Sequence, residues 1–127
     1  MLFRRMEACT EIIANDGCRL RELLHPDKDG SGVPYSLALA WVDPGKSTYP
    51  HRLTGETEVY LILSGSGRMH IGDESADLNP GDAVVIPRGA RQWIECTGPG
   101  TLHFAALVSP PWRADHDVRE AGPTGVR

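Results

Sequence analysis

The chain has 127 residues, of which 13 are Lys or Arg and 17 Asp or Glu, giving a formal net charge of −4; that length suits one domain, residues 1–127, with a core of its own. Arg4, Arg5, Arg19 and Arg21 are interleaved with acidic and apolar residues, so the concentrated basic surface that nucleic-acid binding requires is excluded. No apolar run approaches the roughly 18 residues of a membrane span, and MLFRRMEACTEII carries no apolar h-region, so a cytoplasmic protein without a targeting segment is predicted.

Residues 1–32 read as an irregular arm. Within it, residues 10–13 and 18–24 each fit a short strand or a helical turn, with Asn15-Asp16-Gly17 as a turn between them. His25-Pro26-Asp27-Lys28-Asp29-Gly30-Ser31-Gly32 is a loop by composition. Beyond it, the 14 glycines and 10 prolines fall between short runs rich in Val, Ile, Leu and Tyr. Strands are predicted at residues 35–42, 49–53, 58–63, 67–71, 75–78, 83–86, 91–96 and 101–108. Their separators include Asp43-Pro44-Gly45, Asn79-Pro80-Gly81 and Pro87-Arg88-Gly89. Short, regularly spaced strands without a helix long enough for a crossover predict an all-β antiparallel barrel or jelly roll. After Trp112 the chain turns polar, and a frayed tail is expected. Cys9, Cys18 and Cys96 are odd in number and lack CxxC spacing, so they read as free thiols packed as small apolar groups.

The stretch from Pro44 to Gly65 carries the chemistry. His51 and Glu58 bracket a turn-like segment and lead into an apolar, β-prone run, an arrangement that suits a metal or a proton-transfer site. Without a metal, burial would raise the Glu58 carboxyl and let it act as a general base beside His51, making both catalytic candidates. A hydrogen-bonded His–Glu couple that binds nothing is the bland alternative.

These residues and turns resemble the motifs of small single-domain cupins of the conserved-barrel cupin 2 type. The family's first motif runs glycine, histidine, histidine, glutamate, glycine; here Gly45, His51, Glu58 and Gly65 fall at its spacings, with Leu53 in the second histidine's place. In the second motif Gly81, Pro87 and Gly89 match, whereas Gln92 replaces the histidine and Cys96 the asparagine. The resemblance implies a cupin β-barrel of jelly-roll type over residues 33–111, preceded by the short arm and followed by a polar tail, residues 112–127.

The family's metal set would here be reduced to His51, Glu58 and Gln92, able to hold Zn, Mn, Fe or Ni with open positions; metal-bound and metal-free sites both remain open, and no organic cofactor is expected. Strand parity makes Leu53, Tyr60 and Ile62 share the inward face of His51 and Glu58, with Gln92, Ile94 and Cys96 inward on a later strand. Tyr60, Trp93, Tyr49 and Trp41 are candidates for an aromatic wall around a ligand, or plain core. Whether His25, His70 or His103 reaches the cavity is left open.

The resemblance implies a small-molecule enzyme, metal-dependent or not, with isomerase, cyclase, lyase or dioxygenase chemistry on a polar, oxygen-bearing metabolite. A single histidine favours isomerisation or cyclisation over redox-iron chemistry. The alternatives are a non-catalytic ligand-binding or sensing barrel with a degenerate, metal-free site, and a metal-dependent dioxygenase. A homodimer is expected, with residues 10–24 adding a strand to a partner's sheet edge.

Overall fold

Strands of alternating burial make up most of the computed structural model, which describes residues 1–120. Among the described residues they are β1 (Glu11–Ile13), β2 (Arg19–Leu24), β3 (Ser36–Val42), β4 (His51–Leu53), β5 (Thr57–Ser64), β6 (Gly67–Ile71), β7 (Glu74–Leu78), β8 (Ala83–Ile86), β9 (Gln92–Cys96), β10 (Leu102–Ser109) and β11 (Asp117–Arg119). Each strand predicted between residues 35 and 108 is present. The largest shift is at β4, which pairs only from His51.

The strands form two antiparallel sheets that face each other, ordered β1-β2-β3-β10-β5-β8 and β11-β4-β9-β6-β7. Their inner faces follow the period of two. On β5, Glu58, Tyr60 and Ile62 are buried while Leu61 and Leu63 are exposed, and on β9 Gln92, Ile94 and Cys96 alternate with half-buried Trp93 and Glu95. Phe104 and Ile62 from one sheet and Met69 and Ile94 from the other belong to one core cluster, each at most 2 % exposed. Removing such a side chain costs about 3–5 kcal/mol for an aromatic.

Tight turns join the strands as the Pro-Gly pairs predict. In Asp43-Pro44-Gly45-Lys46 the Lys46 N–H donates to the Asp43 carbonyl at 3.1 Å, with Gly45 at φ +76. That is the geometry in which the third position requires a positive φ.

The arm and residues 113–120 are more ordered than expected. In the arm, β1 and β2 continue the six-stranded sheet, since Arg21 pairs with Glu11 on one side and Leu39 on the other. The predicted loop after Leu24 holds a four-residue helix, α1 (Pro26–Asp29), whose first turn is capped by the His25 ring accepting from the Asp27 N–H at 3.2 Å.

The polar segment after Trp112 is not frayed through Glu120. It makes a helical turn at Ala114–His116 and then pairs as β11 along β4. Polar contacts, most of them to distant residues, hold it, where an apolar stripe would have been visible in the sequence. The Trp112 Nε1–H donates to Asp117 Oδ2 at 2.9 Å, Arg119 donates to the Asn15 carbonyl, and Glu120 pairs with Arg52. The remainder of the expected tail, residues 121–127, lies outside the described residues.

Gly45 and Gly65, the two motif glycines, carry different constraints. A Cβ at Gly45 would meet open space, whereas one at Gly65, φ +79, would lie 2.5 Å from the Thr101 carbonyl oxygen. Gly45→Ala is therefore expected to cost about 1–2 kcal/mol from the left-handed backbone alone. Gly65→Ala adds an overlap with rigid backbone and should cost roughly 3 kcal/mol or more. Urea denaturation of the two variants checks this; equal midpoints would contradict the packing at Gly65.

Candidate functional site

His51 opens β4 with its side chain inward, 3 % exposed. Its Nδ1 lies 3.2 Å from the Tyr49 carbonyl oxygen, an acceptor, so Nδ1 carries a proton and donates. That leaves Nε2 for the interior, where it sits 3.9 Å from Asp16 Oδ2. Asp16 arrives from the arm. Its turn closes through the Ala14 N–H donating to the Cys18 carbonyl at 2.9 Å and the Cys18 N–H donating to Asp16 Oδ1 at 3.2 Å. The turn docks on β4's approach by the Tyr49 N–H donating to the Asp16 carbonyl at 2.7 Å.

Glu58 enters from the opposite sheet. Gln92, fully buried on β9, donates through Nε2 to Glu58 Oε1 at 2.9 Å, and the Tyr60 hydroxyl donates to Gln92 Oε1 at 3.1 Å. The amide is thereby oriented and both its ends are used. The described residues give Glu58 a hydrogen bond at Oε1 and none at Oε2. His51 and Glu58 are not a hydrogen-bonded couple: His51 has Asp16 beside it and Glu58 has Gln92, and the two act on each other through space.

Burial raises the Glu58 carboxyl to about 7, against the opposing pull of His51 and the Gln92 hydrogen bond. At His51 burial works against the charged ring, but Asp16, Glu58 and Asp117 together outweigh it, and the imidazole is raised above its ordinary value. Burial and the neighbouring Asp16 push the Cys18 thiol well up, which keeps it neutral and unreactive.

These groups share one cavity of about 220 Å³. Its walls are apolar, including Leu53, Ala38, Ala40, Phe104, Ala106 and Val108, and Tyr60 lines it with His51 and Glu58. Leu53, in the second motif histidine's position, is 3 % exposed and contributes wall without a donor.

The other aromatic candidates stand elsewhere. Trp41 stacks on His103 at 4.5 Å, and Trp93 stacks on His70 at 4.2 Å beneath the Arg91 guanidinium, each on an outer face. Tyr49 packs its ring against Gly17 and under Arg119, joining the arm to the strap formed by residues 113–120. The reason is parity: Trp93 adjoins inward Gln92, and Trp41 adjoins inward Ala40 and Val42. His25 is also away from the cavity lining, its Nε2–H donating to the Trp112 carbonyl at 2.8 Å.

Sequence reasoning missed Asp16, Cys18, Trp112 and Asp117, all of which line the cavity. Asp16 was visible only as a turn residue. Asp117 carried no local signal, because its neighbours, Asn15 Nδ2 at 3.0 Å and Trp112, include one 102 residues away.

The residues present do not fit a resident metal. Gln92 spends its amide oxygen on Tyr60, Leu53 offers no donor, and no group of three His, Cys, Asp or Glu among the described residues is placed to hold an ion.

A family model described as "Cupin domain" matches residues 38–110. An uncharacterized protein of Methanocaldococcus jannaschii, MJ1618, is 37 % identical over 100 residues, 79 % of each chain. An oxalate-binding protein of Thermotoga maritima is 35 % identical over 65 residues, covering 51 % of this chain and 54 % of that one. Among solved structures, one described as a predicted oxalate decarboxylase from Thermotoga maritima superposes with TM-score 0.75 at 24 % identity, covering 86 % of this chain and 99 % of that one. The Bacillus subtilis oxalate decarboxylase, an enzyme with Mn(II) centres, superposes with TM-score 0.76 at 21 % identity, and this chain spans 30 % of it.

The pH dependence of stability follows from Glu58. Its carboxyl is raised from 4.5 to about 7 on folding, so the folded chain holds a proton that the unfolded chain releases in between. Stability therefore falls as pH rises through that window, by about 3 kcal/mol in total. His51, also raised, loses its contribution in the same direction as pH climbs past its ordinary value. Glu58→Gln should remove most of the fall between about pH 5 and pH 8, measured by urea denaturation. An unchanged slope in that variant would contradict the buried carboxyl.

Proposed function

This chain belongs to the cupin family, and from that premise we propose that it is a small-molecule enzyme of the isomerase or cyclase type, in which Glu58 exchanges a proton with a ligand held in the barrel. The observation that carries this reading is a buried Glu58, 7 % exposed, with one carboxyl oxygen fixed by Gln92 and the other without a hydrogen bond from the described residues, on the cavity wall. A carboxyl near 7 is matched to neutral pH, where it can both accept and return a proton.

In the proposed step Glu58 Oε2 takes a proton from a C–H beside the ligand's carbonyl, leaving the electron pair delocalised onto the carbonyl oxygen. The same carboxyl returns the proton to a neighbouring atom, so nothing is gained or lost overall. Gln92 keeps the other oxygen occupied and so selects the one that reacts. His51, with Nε2 free of hydrogen bonds to the described residues and its charged form favoured by the surrounding carboxylates, donates to the carbonyl oxygen as negative charge develops there. Tyr60 orients Gln92. No step needs a metal, in keeping with the donor set.

Enzyme-dependent deuterium incorporation from D₂O into a panel of small hydroxy-carbonyl compounds, followed by NMR, tests the reading. Exchange should persist after exhaustive dialysis against EDTA and fall on the order of 100-fold or more in Glu58→Gln. The second reading, ligand binding without turnover, is favoured by the relative named an oxalate-binding protein; a compound bound stoichiometrically with no exchange would replace the enzyme by the binding module.

A homodimer belongs to the same proposal. β1 is an edge of the six-stranded sheet, with Ile12 and Ile13 exposed, and its open side suits pairing with a second copy. Light scattering at micromolar concentration should give twice the chain mass of 13.8 kDa; a monomeric mass would refute it.

A further inference from the structure

The charges around the cavity do not balance. Asp16, Glu22, Glu58 and Asp117 line it together, against the imidazole of His51 and the ammonium of Lys28. The carboxylates of Glu58 and Asp117 are held by neutral donors: Gln92 Nε2 at 2.9 Å for Glu58, and Asn15 Nδ2 at 3.0 Å and Trp112 Nε1 at 2.9 Å for Asp117. Among the described lining residues the one ammonium, Lys28, is tied to Glu22 at 2.7 Å and is itself exposed. Arg119, on β11, is committed to the Asn15 carbonyl at 2.6 Å and to the Tyr49 ring at 4.1 Å.

Two further observations point to what would complete the site. Glu58 Oε2 and His51 Nε2 both lack a hydrogen-bond partner among the described residues, on side chains that are 7 % and 3 % exposed and line the cavity. The adjoining wall is aromatic, with Tyr60 and Phe104 at 4.4 Å and Trp112 beside the acidic strap, and ring faces attract cations.

We propose that the cavity recognises a small organic cation, a primary or secondary ammonium group on a short apolar body, set between the carboxylates of Asp16 and Asp117. This rests on the proton-exchange reading and gives its ligand a class: a metabolite whose ammonium lies beside the carbonyl that His51 and Glu58 address. Dianions such as oxalate, which some relatives' names specify, would meet the carboxylates of Asp16 and Asp117, and the one imidazole facing them, His51, already has Asp16 at 3.9 Å. The same charges that attract the ammonium thus reject the anion.

Isothermal titration with an isosteric series, n-butylammonium, n-butanol and butyrate, together with oxalate, tests the proposal. Butylammonium should bind at least ten-fold more tightly than butanol, with no binding of butyrate or oxalate. An Asp16→Asn/Asp117→Asn variant, its fold checked by circular dichroism, should lose the preference at least ten-fold; if that variant does not fold, the wild-type series decides alone. Butyrate or oxalate binding as tightly as the amine, an amine no better than the alcohol, no amine binding, or a preference unchanged in a folded variant each overturns it. Amine binding without deuterium exchange would fail the enzyme reading and leave this one standing. Exchange confined to neutral or anionic compounds would do the reverse.

Discussion

A carboxyl group buried between two sheets and hydrogen-bonded by a neutral amide, not by a charged donor among the described residues, is the constraint on which the rest of the site depends. Glu58 stands on β5 in one sheet, and its partner Gln92 stands on β9 in the other, itself held by Tyr60 back on β5. This hydrogen-bond chain crosses the core twice, so it exists only while both strands keep their register. A slip of one residue on either strand would turn Glu58 or Gln92 to the outer face and expose the apolar set in its place. An unpaired buried carboxylate is expensive, which is why the amide is fully enclosed and why the group holds its proton so far up the pH scale.

The barrel was legible in the sequence because two local codes agree. Alternation along residues 58–63 and 92–96 assigns faces, and the Pro-Gly turns assign where strands stop. The same alternation placed His51, Leu53, Glu58, Tyr60 and Gln92 inward, where the structure has them. Applied strictly, it would also have removed Trp41 and Trp93 from the aromatic wall, since each adjoins an inward residue. Those rings cover the outside of the sheets by stacking on His103 and His70, which also accounts for two histidines that sequence spacing could not place.

What stayed illegible is the part of the site made by contacts between distant segments. Asp16 sits in a turn whose composition signals only a reversal of the chain, and Asp117 sits in a polar stretch with no periodicity. Their meeting depends on Asn15, Arg119 and Trp112, polar partners as many as 104 residues apart in the chain. No window of sequence contains such a pair. The frayed ending expected for residues 113–120 failed for the same reason: the strap is held by ion pairs and hydrogen bonds, not by an apolar stripe.

The clasp formed by the Asn15–Asp16 turn and the β11 strap lies wholly outside residues 38–110, the part matched by the family model. The matched region thus supplies the buried Glu58 carboxyl and its support, while the two flanks supply Asp16 and Asp117 to the same cavity. The acidic side chains of Asp16 and Asp117 can therefore change without altering a single residue of the matched region, so the charge lining the cavity is set separately from the barrel that encloses it.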